Sequence, residues 1–297
     1  MKNALKILVG LAVVTVASAA PPNAEYATEI QDARAKRLAR LTAADGWLTL
    51  IGLHFLQAGD NTVGSALDNQ ILLASGLAHF GTATLSADGR VRFTAVPAAA
   101  AQVDGQPAGV VEMKLGGEGK PTLVTSGTVS FFVIERGGRM ALRVKDSGAV
   151  RRTGFVGIDY FPVDPAWRIE ATWVPFNPPR DVPITNMIGN VSNEKVPGKA
   201  VFQREGKTFE LLPIVEGPNE PLFFVISDTT SGQETYLAAR FLNADPPKDG
   251  KIVLDFNKVV NPPCAFTPFA TCPLPPKENQ MTIAVTAGEK KYRGEHE

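Results

Sequence analysis

VSFFVIERGGRMALRV, Val129–Val144, is the stretch that decides the fold. Val129 to Ile134 and Met140 to Val144 are short apolar runs, and Arg136-Gly137-Gly138 between them is a turn signal. A run, a Gly-rich turn and a second run read as paired strands. The pattern recurs on both sides. Leu48 to Ile51 and Val91 to Phe93 precede it. Arg168 to Val174, Ala200 to Gln203, Phe209 to Leu212, Leu222 to Ile226, Thr235 to Phe241, Ile252 to Asp255 and Met281 to Val285 follow it. Ala87-Asp88-Gly89 and Asp249-Gly250 are further turn signals, and 27 Gly with 23 Pro supply the rest. Many short strands with little helix predict a mainly β protein built as two packed β-sandwich or barrel-like units. A doubly wound sheet would need helices between the strands, and no segment there is long enough.

Helical periodicity is clear in one segment. Tyr26, Ile30, Ala33, Leu38 and Leu41 recur near 3.6 residues, and Asp45-Gly46 ends the run. Arg34, Lys36, Arg37 and Arg40 fall on the other faces, which predicts a solvated basic side. The chain therefore divides into a leader over 1–19, a helix over 20–46, a sandwich-like unit over 47–150 and a C-terminal β unit over 151–297. The boundary falls near 146–165, where Asp146-Ser147-Gly148 and Phe161-Pro162-Val163-Asp164-Pro165 are irregular.

Length and composition exclude several functions. The chain has 297 residues, 44% hydrophobic and 20% charged, enough to bury a sizeable core. Its 30 Lys and Arg balance 30 Asp and Glu, which argues against a nucleic-acid binder working through a basic field. Three His and two Cys leave little for metal centres, so neither a metal nor a cofactor is expected. Lys2 and Lys6 precede an apolar stretch from Ile7 to Val16, and Ala17-Ser18-Ala19 fits a small-x-small cleavage site. This predicts a secretory signal peptide cut near Ala19 and a periplasmic or secreted protein. The apolar run is far shorter than the roughly 20 residues that span a bilayer, so no membrane span is expected.

Export bears on the cysteines. Cys264 and Cys272 lie in NPPCAFTPFATCPLPP. In an oxidising compartment so close a pair predicts a disulfide, with a metal or redox pair as the alternative.

Familiar catalytic motifs are absent. Gly116-Gly117-Glu118-Gly119-Lys120-Pro121 has Lys114 and Pro121 where a phosphate-binding loop needs Gly and Ser or Thr. There is no G-x-S-x-G elbow and no HExxH. His296 is in the tail, His54 lies in an apolar strand, and His79 is the third.

Two resemblances add to this. GDNTVGSALDNQILL, from Gly59 to Leu73, resembles the opening of the forkhead-associated phosphopeptide-binding sandwich. Ser65 stands where that family has its phosphate-contacting Arg, so the likeness implies sandwich topology without the phosphate site. GWLTLIGLHFLQAGDNTVGS, FFVISDTTSGQETYLAARFL, IVLDFNKVVNPPCAFTPFATCPLPPKENQ and AGEKKY together resemble the bacterial domain-of-unknown-function 1684 family, from Arg37 to about Tyr292. That family brings no established activity. Members without an export signal carry the same two cysteines, which implies a role for them beyond a staple.

Residue chemistry ranks the C-terminal candidates. Asp228, Tyr236 and Arg240 belong to one turn-and-strand unit, and Tyr236 and Arg240, four apart, would share a strand face. Asp255 and Asn257, two apart, would share another. An Arg, two Asp, a Tyr and an Asn converging on one mouth predict a site for a small polar ligand or an envelope component. Paired carboxylates such as Asp228 and Asp255 offer hydrolysis as the alternative. A third reading is a non-catalytic structural or partner-binding role, in which the same groups form a buried network pinning the Pro-rich loop.

Overall fold

The computed structural model describes residues 23–97, 100–117, 119–215, 217 and 220–294. The expected leader and its cleavage site, like His296, lie outside the described residues. Helix α1 (Ala24–Thr42) begins where the Asn23 side chain accepts the Tyr26 N–H at 2.8 Å. That bond satisfies one of the donors every helix start leaves free. Tyr26, Ile30 and Leu41 are buried, as their spacing predicts, whereas Leu38 is 43% exposed and Ala33 half-buried. The basic side is not uniformly solvated. Arg34 donates to the Phe161 carbonyl at 3.1 Å and lies over the Tyr160 ring, while Arg37 pairs with Glu289 at 3.0 Å. Lys36 and Arg40 do face water. No helix among the described residues is long and apolar enough to cross a membrane.

The first core lies between two sheets. One runs in the order β1 (Leu50–Phe55), β11 (Arg139–Asp146), β10 (Val129–Arg136), β9 (Val124–Ser126), β6 (Gln102–Val103), β7 (Gln106–Pro107). The other is β3 (Ile71–Leu72), β2 (Gly59–Gly64), β4 (Gly81–Leu85), β5 (Val91–Ala95), β8 (Val110–Glu112). Strands β10 and β11 pair from Val129↔Asp146 to Arg136↔Arg139. Gly137 and Gly138 turn the hairpin with φ of 59° and 72°, the backbone twist that matches paired strands and that a side chain disfavours. Alternation then sorts the side chains. Val129, Phe131, Val133, Leu142 and Val144 enter the core, where Phe131 meets Phe80 and Phe93 edge-on at 5.5 and 5.3 Å. Phe132, Ile134, Arg136, Ala141, Arg143 and Lys145 occupy the opposite face.

The second core is built on a sheet ordered β14 (Lys207–Leu211), β13 (Val191–Arg204), β12 (Arg168–Thr185), β17 (Lys251–Asp255), and on the pair β15 (Leu222–Ile226) and β16 (Arg240–Ala244). Trp167, Phe202, Phe224, Leu254, Phe256 and Ile283 are among its members. The short helix α2 (Val150–Thr153) lies in the chain between the two cores. A third cluster of Leu41, Leu48, Ala265, Phe266 and Tyr292 joins the end of α1 to the cysteine loop.

Several expected strands come out differently. Leu48 and Thr49 lie in a short 3-10 helix, and β1 starts only at Leu50. Thr235 bridges back to Ser231, residues 236–239 are irregular, and the strand starts only at Arg240. Thr230 and Thr235 share a hydroxyl hydrogen bond at 2.8 Å that folds this segment back. Met281 to Val285 buries alternate side chains like a strand yet forms none. Strand β12 runs 18 residues, well past the expected Val174, because an irregularity between Pro175 and Arg180 takes Pro178 and Pro179 out of the ladder.

Candidate functional site

The five candidate residues fall into three separate networks rather than one mouth. Arg240 is 1% exposed and donates through Nη2 to Asp228 Oδ2 at 2.7 Å. It also donates to the carbonyls of Ala287 at 2.7 Å and Val285 at 2.9 Å. Asp228 Oδ1 accepts from the Thr230 amide, the Thr230 hydroxyl and the Val285 amide. Both oxygens are thus committed, and the pair holds the segment after Met281 against β16. Tyr236 does not share a face with Arg240; its hydroxyl donates to the Cys264 carbonyl at 3.1 Å.

Asp255 and Asn257 do meet, through a turn rather than a strand face. The Asn257 amide donates to Asp255 Oδ1 at 3.1 Å, and the Tyr26 hydroxyl donates to the same oxygen at 2.8 Å. Asn257 clasps Asp164 through both its backbone groups, at 2.8 and 3.0 Å. Burial, helped by the Asp255 carboxylate, pushes the Tyr26 phenol well above its ordinary pKa. This network fastens the start of α1 to the second core.

The cysteines are a correction. Both are free thiols, not a disulfide, and Cys272 Sγ accepts the Cys264 N–H at 3.2 Å. The loop turns tightly after Pro263, so the second sulfur caps the turn instead of bonding to the first. The contact between the thiols lowers the Cys264 pKa and raises that of Cys272.

A different site lies on the outer face of β10 and β11. There a cleft of about 910 Å³ opens between this sheet, the β12–β13 hairpin, the β15–β16 pair and the cysteine loop. Arg136 and Arg143 line it, with Trp47 and Cys272. A second recess of about 480 Å³ shares Arg143 and Trp47 and adds Arg40, Asp45 and Lys145. Arg143 is 7% exposed. Its side chain makes no hydrogen bond or ion pair to any described residue; its Nε is buried without a partner, while its Nη atoms open on the cleft. The Trp47 ring centroid lies 5.4 Å from its guanidinium. Burial and the nearby Arg136 charge pull its pKa down to about 10, which leaves it cationic at neutral pH. Arg136 is bonded only to neutral oxygens, Thr271 Oγ1 at 3.1 Å and the Glu135 carbonyl at 2.6 Å. Glu135 and Glu194 also line the cleft, and neither pairs with an arginine within 4.0 Å.

Sequence reasoning missed Arg143 because Met140, Leu142 and Val144 alternate with Ala141 and Arg143. That pattern is identical to a strand with one face in water. It also missed Glu289, 0% exposed, whose carboxylate takes Arg37 Nε at 3.0 Å and the Asn261 amide at 2.7 Å. Burial raises the Glu289 pKa, against the pull of Arg37.

Fold and cleft define a mainly β protein with two cores and a cleft lined by two arginines and two glutamates. The chain belongs to the family described as Protein of unknown function (DUF1684), whose model matches residues 153–290. The match covers the second core and the cysteine loop; Arg136 and Arg143 lie before it. The chain is also similar to an uncharacterized protein of Haloarcula marismortui solved by solution NMR. The two are 31% identical over 48% of this chain and 81% of that one, with a TM-score of 0.41. No curated protein matches it.

Proposed function

We propose that this protein binds a small anionic molecule in the cleft, with Arg143 as the anchor and Arg136 as a second cation. One observation carries the reading: Arg143 is buried and charged, and no described residue pairs with it. Its Nε is shut away from water without an acceptor, and a buried polar group left unpaired costs on the order of 1–3 kcal/mol. An anion held by the guanidinium fork would offset that cost. The second recess, with Arg40 and Lys145 beside the same Arg143, supports the same sign of ligand. Hydrolysis by Asp228 and Asp255 draws no comparable support, since the two carboxylates belong to different networks.

Export belongs to this proposal as well, resting on Lys2, Lys6 and Ala17-Ser18-Ala19. N-terminal sequencing of the protein from the producing cell should begin near Ala20; a chain beginning at Met1 would remove the export reading.

The binding test is calorimetric titration of the full chain with acetate and with inorganic phosphate. Saturable binding that weakens with salt and drops at least tenfold in Arg143→Met is the expected result. Equal titration curves for wild type and Arg143→Met would sink the reading.

A further inference from the structure

We infer that the anion is amphipathic: a single apolar chain or ring carrying one carboxylate or phosphate head, taken up free rather than as part of a bilayer. The inference rests on the anion-binding reading and deepens it.

Apolar side chains line part of the cleft, beside the polar Asn186, Ser192 and Glu194. The apolar ones are Ile184, Ile214, Val215, Phe223 and Phe241, with Pro263 from the cysteine loop. Phe223 and Phe241 come from β15 and β16, whose alternate residues Leu222, Phe224, Ile226 and Leu242 fill the second core. A strand pair with one face in a core and water on the other would carry polar residues on its outer face. Here the outer face carries two aromatic rings instead, packed edge-on at 4.8 Å and left half-exposed at the cleft. The cleft therefore offers both kinds of surface to one molecule. The guanidiniums call for a charged head, and the Phe223–Phe241 wall for an apolar body.

The volume of about 910 Å³ lies within the 300–1,000 Å³ typical of small-molecule sites, so the occupant is a discrete molecule. Nothing beyond binding is implied, and no bond is made or broken.

The experiment is a chain-length series on the full protein: acetate, hexanoate and decanoate, the weak members measured by competition. Affinity should climb with length, by up to roughly fourfold for each methylene that leaves water. Phe223→Ala should flatten that climb. Arg143→Met should weaken every member alike. Decanol should bind far more weakly than decanoate.

Four results would count against this. Equal affinity for acetate and decanoate overturns the amphipathic inference and leaves the anion reading intact. Decanol binding as tightly as decanoate overturns both, because the head would then be idle. No binding by any acid removes the anion reading itself. Association with phosphatidylglycerol vesicles without decanoate binding overturns uptake of a free molecule.

Discussion

Arg240 and Arg143 are both buried, and they differ in what surrounds the guanidinium. Arg240 has the Asp228 carboxylate at 2.7 Å and the Val285 carbonyl on Nη2 and the Ala287 carbonyl on Nη1, although its Nε, like that of Arg143, is buried without a partner. Arg143 has an aromatic face and the edge of a cleft. Desolvation of a charge is costly in either place, and only the first is compensated from within the chain. Replacing Arg143 by a neutral side chain of similar length removes that cost when no ligand is present. Arg143→Met should therefore raise the stability of the unliganded protein by about 1 kcal/mol or more, seen as a melting temperature a few degrees higher. A lower melting temperature would mean that the guanidinium is stabilised in place and is not waiting for an anion. Residues of this kind are the hardest to read from sequence. Arg240 stood out because Asp228 lay near it in the chain. Arg143 sat in a regular alternation, and alternation does not say whether the second face meets water or another part of the fold.

At the scale of elements, legibility followed the backbone's hydrogen bonds. The β10–β11 hairpin was readable because its strands pair with each other across two glycines, so the signal is local. Met281 to Val285 carried the same alternating signal but not the same structure. Its amides and carbonyls are satisfied by partners distant in sequence: the Ser227 carbonyl, Asp228 Oδ1 and Arg240 Nη2. Long β12 was hidden for the opposite reason. Its prolines read as turn signals, and the irregularity that excuses them is invisible without the partner strand. The same bonds give a prediction. Arg240→Ala strips the cation from a buried carboxylate and two carbonyls from their donor. It should destabilise by about 3–5 kcal/mol in urea unfolding. Hydrogen exchange should rise first between residues 281 and 289, the segment that Arg240 holds. Loss of protection spread evenly over β16 and β17 instead would show that Arg240 supports the sheet and not that segment.

At the scale of the molecule, helix α1 works as a strap, and its strongest hold spans almost the whole chain. Arg37 meets Glu289, and the two lie 252 residues apart in sequence. Arg37 also donates to the Asn261 carbonyl at 2.7 Å, and Tyr26 to Asp255 at 2.8 Å. The helix was legible from its period; what it holds was not, because nothing local marks Glu289 as a partner. Removing Arg37 leaves that carboxylate buried without its cation, so Arg37→Ala should cost about 3 kcal/mol or more at neutral pH. The pH dependence has a definite sign. Glu289 in the folded protein binds its proton more tightly than an ordinary glutamate, because burial disfavours the charge. Its contribution is therefore fully present below the unfolded value near 4.3, and is lost as pH rises through the folded value. Arg37 opposes this shift, and without it the folded value moves higher still. The Arg37→Ala deficit should then be small near pH 5 and grow towards pH 8. Adding Glu289→Gln to Arg37→Ala should recover part of the loss at pH 8 and little at pH 5, because the glutamine cannot ionise. A deficit independent of pH, unchanged by Glu289→Gln, would place the effect in lost helix packing and not in the charge that the strap neutralises.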